Sequence, residues 1–383
     1  MSMMVRFAQR LCGALVLFVV MPGLAIAQQW QWKAETIDNQ GAFTAIAIDV
    51  SGSLHVSYVG QSGVQYAFRP ANGTKWFRQA IDKGNSYTSI ALDAGGNPHI
   101  CYTSYGMLKY ASFGKRGWNP PQQVGSGSGN IMFSCSVAVA PTGVAHLLWY
   151  QVTYGGADYY HVKHAELRNG LWEARTVDFD LETGKWNSMR LDANGTPHIA
   201  YSAYRQGEQK YASWNGREWS VSTVDSRRRS TSKTEGQQPG YGNSIAISKD
   251  GTPFISYMDE GRLKLARRDG ETWSVEVVDQ VSSGRQWSDY RTSLVLDSAG
   301  RPHIAYEDVG TVKHAYFDGN KWRIQTIIPS GPEGSRFASM AIDSRDTLHI
   351  SYRDPVDGSL RLATGSPVAD TEQPKAAPRI AAE

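Results

Sequence analysis

The chain has 383 residues, 41% hydrophobic and 20% charged, with 38 Gly, 12 Trp and 19 Tyr and a formal charge of +3. That is the composition of a folded soluble protein, and so small a charge lacks the basic excess that drives nucleic-acid binding. Three cysteines exclude a scaffold built on disulfides.

Residues 1–27 read as a cleaved secretory signal. Arg6 and Arg10 form a positive start, Leu11 to Met21 an apolar core broken at Pro22-Gly23, and Ala25-Ile26-Ala27 a small-x-small cleavage site before Gln28. The apolar run is short for a membrane span, and no other segment is apolar enough to cross a bilayer. The expected location is therefore periplasmic or secreted. Losing the leader removes Arg6 and Arg10, which lowers the formal charge from +3 to +1, and also removes Cys12. Export permits a disulfide between Cys101 and Cys135, with two unpaired buried thiols as an equal alternative.

From residue 28 to residue 366 one pattern recurs seven times, opening at Ala45, Ser89, Ser136, Ser188, Ser244, Ser293 and Ser339. Each copy starts with an alternating strand such as SIALD or SMAID, then a Gly-containing turn. A second strand follows (PHICY, PHIAY, LHISY), then a third with a Lys-Tyr-Ala theme (LKYAS, QKYAS), then a fourth from Trp to Val-Asp or Ile-Asp, as in Trp76–Asp82. The periodicity is two rather than 3.6, which excludes a helical solenoid. Four short antiparallel strands at a period of about 48 residues mark the blade of a β-propeller. The copy opening at Ser339 has no Trp strand of its own. Trp32–Asp38 has that spacing, so the N-terminal strand is expected to complete the last blade of a seven-bladed, all-β ring. The remainder, 367–383, is Pro/Ala-rich and reads as a disordered tail.

Most of the conspicuous residues belong to the repeat. His55, His99, His146, His198, His303 and His349 share one position, which Phe254 fills in the fifth copy. A position that accepts Phe is a packing position, so no metal is expected there. The Tyr that follows and the recurrent Trp read as packing between sheets. Asp49, Asp93, Asp192, Asp297 and Asp343 precede the Gly turns and can cap their backbone N–H groups.

What the copies do not share lies in the loops that join one copy to the next and the second strand to the third, all on one face. Two or three residues before each innermost strand stands an aromatic: Phe43, Tyr87, Phe133, Trp186, Tyr241, Tyr290 and Phe337. They are expected to crown the central channel, either as stacking platforms for sugar rings or as a plug that closes it. Polar residues interleave with them. Gln151–His161 is rich in Tyr, and 226–243 carries Arg227, Arg228, Arg229 and Lys233. Arg285, Trp287, Asp289, Arg291 and Arg336 precede the last two copies. Asp259, Glu260, Glu307, Asp308, Arg353 and Asp354 sit just after second strands. Arg among aromatics suits a carboxylated or sulfated sugar. If the chain is an enzyme, His161 and Tyr160 are the candidate base and acid, with Arg291 neutralising a uronate.

The D-x-x-G-x-P-H-I-x-Y and L-K-Y-A pieces resemble the secreted bacterial repeat propellers grouped with sialidase-like (BNR-type) proteins. The resemblance spans nearly all of the chain after the leader. It implies the architecture, and it leaves open lectin, glycosidase and polysaccharide-lyase activities. The chain has no S-x-D-x-G-x-x-W Asp-box and no R-I-P, so no sialidase residue carries over. It also has no Gly-rich phosphate loop, HExxH or G-x-S-x-G, and no cofactor is expected. The leading expectation is an exported lectin-like propeller that binds a polysaccharide on its loop face, with Arg285 and Arg336 beside the aromatics. The alternatives are a lyase or glycoside hydrolase acting on an acidic polysaccharide, and a scaffold for a protein partner.

Overall fold

The structure is a computed structural model; it describes residues 30–124, 131–153, 159–180, 182–226, 241–281, 291–331 and 336–368. Seven antiparallel sheets form a ring, the first six running outwards in chain order from their innermost strand. Blade one, for example, comprises Ala42–Ile48, Leu54–Gly60, Gly63–Arg69 and Phe77–Asp82. In blade two the fourth strand is interrupted at Pro120-Pro121, so Gly117–Trp118 and Gln122–Val124 both pair with Met107–Gly114. Proline cannot donate to a ladder, which accounts for the break. The second strands are buried along most of their length, Val56, Ile100, Ile199, Ile255, Ile304 and Ile350 being inaccessible to solvent. The apolar clusters each join neighbouring blades, so the core is a ring of interfaces.

The ring closes as the Trp spacing predicts. Trp30–Asp38 pairs antiparallel with Leu360–Pro367 as the outermost strand of blade seven. That last strand ends at Pro367, opposite Trp30, one residue into the stretch read as tail. Trp32 lies opposite Gly365, where an added Cβ would come within 2.7 Å of the indole, so only glycine leaves room for the ring.

Repeated side chains stitch the blades together, and they do more than pack. The Asp that ends a fourth strand accepts from the Tyr of the next blade: Tyr58 to Asp38 (2.6 Å), Tyr102 to Asp82 (2.6 Å), Tyr201 to Asp178 (2.8 Å), Tyr257 to Asp225 (2.7 Å) and Tyr306 to Asp279 (2.5 Å). The Lys of the third strand joins it, as Lys109 at 2.7 Å from Asp82 and Lys264 at 2.7 Å from Asp225. Burial, reinforced by these carboxylates, raises the phenols of Tyr58, Tyr102, Tyr257 and Tyr306 far above their ordinary value. Blade three puts Trp149 in place of the Tyr, and the strand before it ends at Val124 without an Asp.

The turn aspartates cap as expected. Asp93 Oδ1, for instance, accepts from the N–H of Gly95 (2.9 Å) and Asn97 (2.8 Å). In the blades that carry the turn aspartate, the repeat His lies between that carboxylate and the third strand: His99 Nε2 is 3.8 Å from Asp93, and its Nδ1 is 2.5 Å from Tyr110 Oη. Burial pushes the imidazoles of His55, His99, His198 and His349 below their ordinary value, so they sit neutral inside. Blade five replaces the whole set, with Ser248, Phe254 and Leu265 for Asp, His and Tyr. Elsewhere the positions vary one by one: blade three keeps His146 with Ala140 and His164, blade six pairs Asp297 and His303 with His314, and blade seven keeps Asp343 and His349 with Leu362.

The innermost strands are tied by serine. The Oγ atoms of Ser89, Ser136, Ser188, Ser244, Ser293 and Ser339 accept from the N–H of Val137, Met189, Ile245, Leu294, Met340 and Ile46 in the following blade, at 2.9 to 3.3 Å. Blade one has Ala45 there, so its junction with Ile90 of blade two lacks the tie. Ala45→Ser is expected to supply it and add about 1 kcal/mol, or about 2 °C in thermal melting. A melting temperature that falls would show that the junction has no use for the hydroxyl.

Candidate functional site

Along each innermost strand the chain descends from the loop face into the channel. The entry carries a β-bulge in six blades, with register shifts at Ala42/Ala45, Ser86/Thr88, Ile131/Cys135, Lys185/Ser188, Tyr241/Ser244 and Arg336/Ser339. The extra residue turns a side chain out of the ladder and towards the mouth. At that place stand Phe43, Tyr87 and Trp186, with φ of 51°, 35° and 48°. Blade five has Gly242 there, with φ of 62°. Glycine takes this conformation freely, whereas a bulky residue is held there against its preference, at a cost of roughly 1–3 kcal/mol.

These residues line one cavity of about 140 Å³ at the head of the channel, together with Ser134, Gly242 and Arg291 from blades three, five and six. Beneath them come Thr88, Asn187 and Thr292, then the serine ring, then Arg190. Phe43 and Tyr87 pack against each other with ring centroids 4.8 Å apart, and the Arg291 guanidinium lies 4.6 Å from the Tyr87 centroid. Trp186 belongs to a second group: its centroid is 6.4 Å from that of Tyr204, and Lys185 Nζ is 3.9 Å from the Tyr204 ring. All three described crown aromatics are half-buried. These three form two clusters at the rim.

The crown in sequence also mixes two offsets. Phe43, Tyr87, Trp186 and Phe337 stand two residues before the anchor residue, while Phe133, Tyr241 and Tyr290 stand three before it. In those last three blades the residue at the shared offset is Ser134, Gly242 or Arg291, and these line the cavity. The side chains of Phe133, Tyr241, Phe337 and Arg336, and all of Arg285, Trp287, Asp289 and Tyr290, lie outside the described residues, as do Arg227, Arg228, Arg229 and Lys233.

The acids after the second strands are largely neutralised within the protein. Asp259 lies 2.7 Å from Lys264, Asp308 2.6 Å from Lys313, and Asp354 2.9 Å from Arg361, while Glu307 accepts from the Ala338 N–H at 3.2 Å. They brace the loop face instead of presenting charge to a ligand.

The proposed acid–base pair does not converge. Tyr160 and His161 are consecutive in a regular ladder, opposite Val152 and Gln151, so their side chains leave opposite faces of the blade. Tyr160 stacks on Tyr150 at 6.1 Å and His161 faces Phe179 at 6.4 Å, while Arg291 sits at the channel mouth.

Among the described residues one group, His146, His164 and Glu166, has ligand-type atoms within 4.8 Å of one another. Its members are engaged already. His146 Nδ1 lies 3.1 Å from His164 Nε2, and Glu166 is held by Arg168 at 2.5 Å. The same imidazole pair recurs as His303 and His314 at 3.0 Å in blade six, where Tyr316 stands in place of the carboxylate, which favours the structural reading. A wider depression of about 880 Å³ opens on the turn face between blades five and six, beside Phe254 and Leu265, away from the variable loops.

Arg190, Lys185, Tyr204 and the serine ring escaped the reading of the sequence. Arg190 carried a signal: an arginine at a position that is Ala or Val in the other six copies.

No family model and no curated protein matches this chain. Solved structures match it in fold. A virginiamycin B lyase from Staphylococcus aureus, solved with quinupristin, aligns at TM-score 0.57 and 10% identity over 88% of this chain and 99% of its own. The Cps50 (Swd1) β-propeller domain from Myceliophteria thermophila aligns at 0.53 and 8% identity over 87% and 99%. A mutant of AofleA from Arthrobotrys oligospora aligns at 0.50 and 12% identity over 78% and 90%. At such identities the likeness is one of fold.

Proposed function

We propose that this chain is an exported carbohydrate-binding propeller that holds a saccharide over the loop-face mouth of its channel. The observation that carries the reading is the backbone strain at Phe43, Tyr87 and Trp186. Gly242 stands in the same place without strain, so the ring does not require an aromatic there. Strain kept where a cheaper residue would serve points to a use for the side chain. Half-buried aromatics beside Arg291 and Lys185 offer apolar faces for sugar rings and donors for their oxygens. Binding is preferred to lyase chemistry because His161 and Tyr160 diverge. The fold itself favours neither, since propellers host unrelated functions. Residues 1–27 supply the route out of the cytoplasm in this reading.

The test is a glycan array probed with the purified chain from residue 28 onwards. Binding to at least one neutral or acidic polysaccharide is expected. A blank array, with a protein complex recovered from the producing cell's envelope, would replace this reading with that of a protein scaffold.

A further inference from the structure

Two residues below the serine ring, six blades place Ala47, Ala91, Ala138, Ala246, Val295 and Ala341, and blade four places Arg190. Residues i and i+2 of a strand share a face, so Arg190 lies directly beneath Ser188 on the channel wall. Its guanidinium donates to the Met189 carbonyl at 3.0 Å. Among the described residues no carboxylate pairs with it, and the cavity wall contains Arg190 and Arg291 but no Asp or Glu. The side chain is ringed by protein atoms yet keeps exposed surface, as a group projecting into a channel does. Burial lowers its pKa, but a guanidinium remains protonated. The ring is thus left holding a cation that no partner compensates, at a position where alanine is the rule.

The surroundings suit an anion. Each ring serine accepts a backbone hydrogen bond, which leaves its own O–H able to donate inwards. Asn187, one layer higher on the same wall, is only 8% exposed, and its Oδ1 meets no donor among the described residues. At about 140 Å³ the cavity falls below the roughly 300 Å³ at which pockets begin to enclose a whole small ligand, so it admits a substituent and not a sugar ring.

We infer that the channel head is an anion subsite in which the Arg190 guanidinium pairs with the carboxylate of a uronate residue whose ring rests on the rim aromatics. This rests on the glycan-binding reading and names its ligand class. The planar fork of the guanidinium matches a carboxylate in two parallel hydrogen bonds, the serine hydroxyls donate to its oxygens, and Asn187 Oδ1 accepts from a sugar hydroxyl.

Arg190→Ala restores the residue found in five of the other blades, so it should fold. Without ligand it is expected to melt at or above the wild-type temperature, because it removes an uncompensated charge. Calorimetric titration should use uronate oligosaccharides, the same chains with their carboxyl groups reduced to alcohols, a sulfated neutral oligosaccharide, and free glucuronate. The wild type is expected to prefer the uronate chain to its reduced form by about 10- to 100-fold. Arg190→Ala should bind the two within about threefold of each other. A variant that keeps the preference overturns the inference and leaves the glycan-binding reading standing. Arg190-dependent binding of free glucuronate with no affinity for any oligosaccharide upholds the anion subsite and overturns the glycan reading. Arg190-dependent binding confined to the sulfated chain, or no Arg190-dependent binding of any of the four, overturns the carboxylate assignment.

Discussion

A chain that starts at residue 39 is expected to lose at least about 5 kcal/mol and to melt at least about 10 °C lower than the chain that starts at residue 28. Residues 30–38 supply the outermost strand of blade seven, and they clasp both neighbours. On the blade-six side Trp30, only 5% exposed, meets the rings of His303, His314 and Tyr316 edge-on at 5.2 to 6.2 Å. Trp32 Nε1 donates to Gln325 Oε1 at 3.2 Å, and Gln325 returns a bond to the Trp30 carbonyl at 3.2 Å. On the blade-one side Glu35 pairs with Arg69, and Asp38 takes bonds from Tyr58 and Arg78, both at 2.6 Å. Removing the strand uncovers two buried imidazoles and leaves a phenol and a ladder edge without partners, which costs more than the apolar area alone. Trp30→Ala by itself should cost about 3–5 kcal/mol, the range for truncating a buried aromatic. Truncated and full chains that melt within about 2 °C of each other would show that the ring closes by other means.

The second large effect concerns Cys101 and Cys135. The structure resolves the choice between a bridge and two thiols in favour of the bridge, which links the second strand of blade two to the first strand of blade three across 34 residues. A loop of that length corresponds to about 4 kcal/mol of chain-entropy stabilisation. The bridge crosses a junction that lacks the Asp–Tyr tie, since Trp149 replaces the tyrosine and no Asp ends the strand before it. The Cys101→Ala/Cys135→Ala variant is therefore expected to melt roughly 8 °C lower. Adding a phosphine reductant should lower the wild type to the same point and leave the variant unchanged. A wild type indifferent to reductant, with a variant of equal stability, would remove the bridge from the account.

The fold was legible because one pattern is written seven times in the sequence. Alternation gave the strands, and the Trp spacing at residues 32–38 gave the closure before any contact was known. Chemistry that joins one copy to another was not legible in the same way. Serine at the anchor reads as a small residue, and only the ring geometry brings each Oγ to the N–H of the next blade. The crown was half legible. A bulge inserts a residue and resets the alternation, so the direction of an aromatic two residues before the anchor cannot be inferred from that of one three before it. Arg190 was visible as an exception in an otherwise small-residue column, but its meaning depends on facing a channel without a carboxylate. Regularity drew attention to the copies' shared residues, whereas the exceptions are what line the cavity.

The central claim is that the strained rim aromatics hold a saccharide. The direct measurement is a glycan array probed side by side with wild type, Trp186→Gly and Tyr87→Ala. Gly242 shows that the ring accepts glycine at this place, so Trp186→Gly should keep the wild-type melting temperature or exceed it. The account predicts that both variants lose at least about tenfold in affinity for whatever glycan the wild type binds, in line with the roughly 1–3 kcal/mol of an aromatic stacking contact. Variants that bind the same glycans as tightly as the wild type would contradict it and move the site away from the channel mouth.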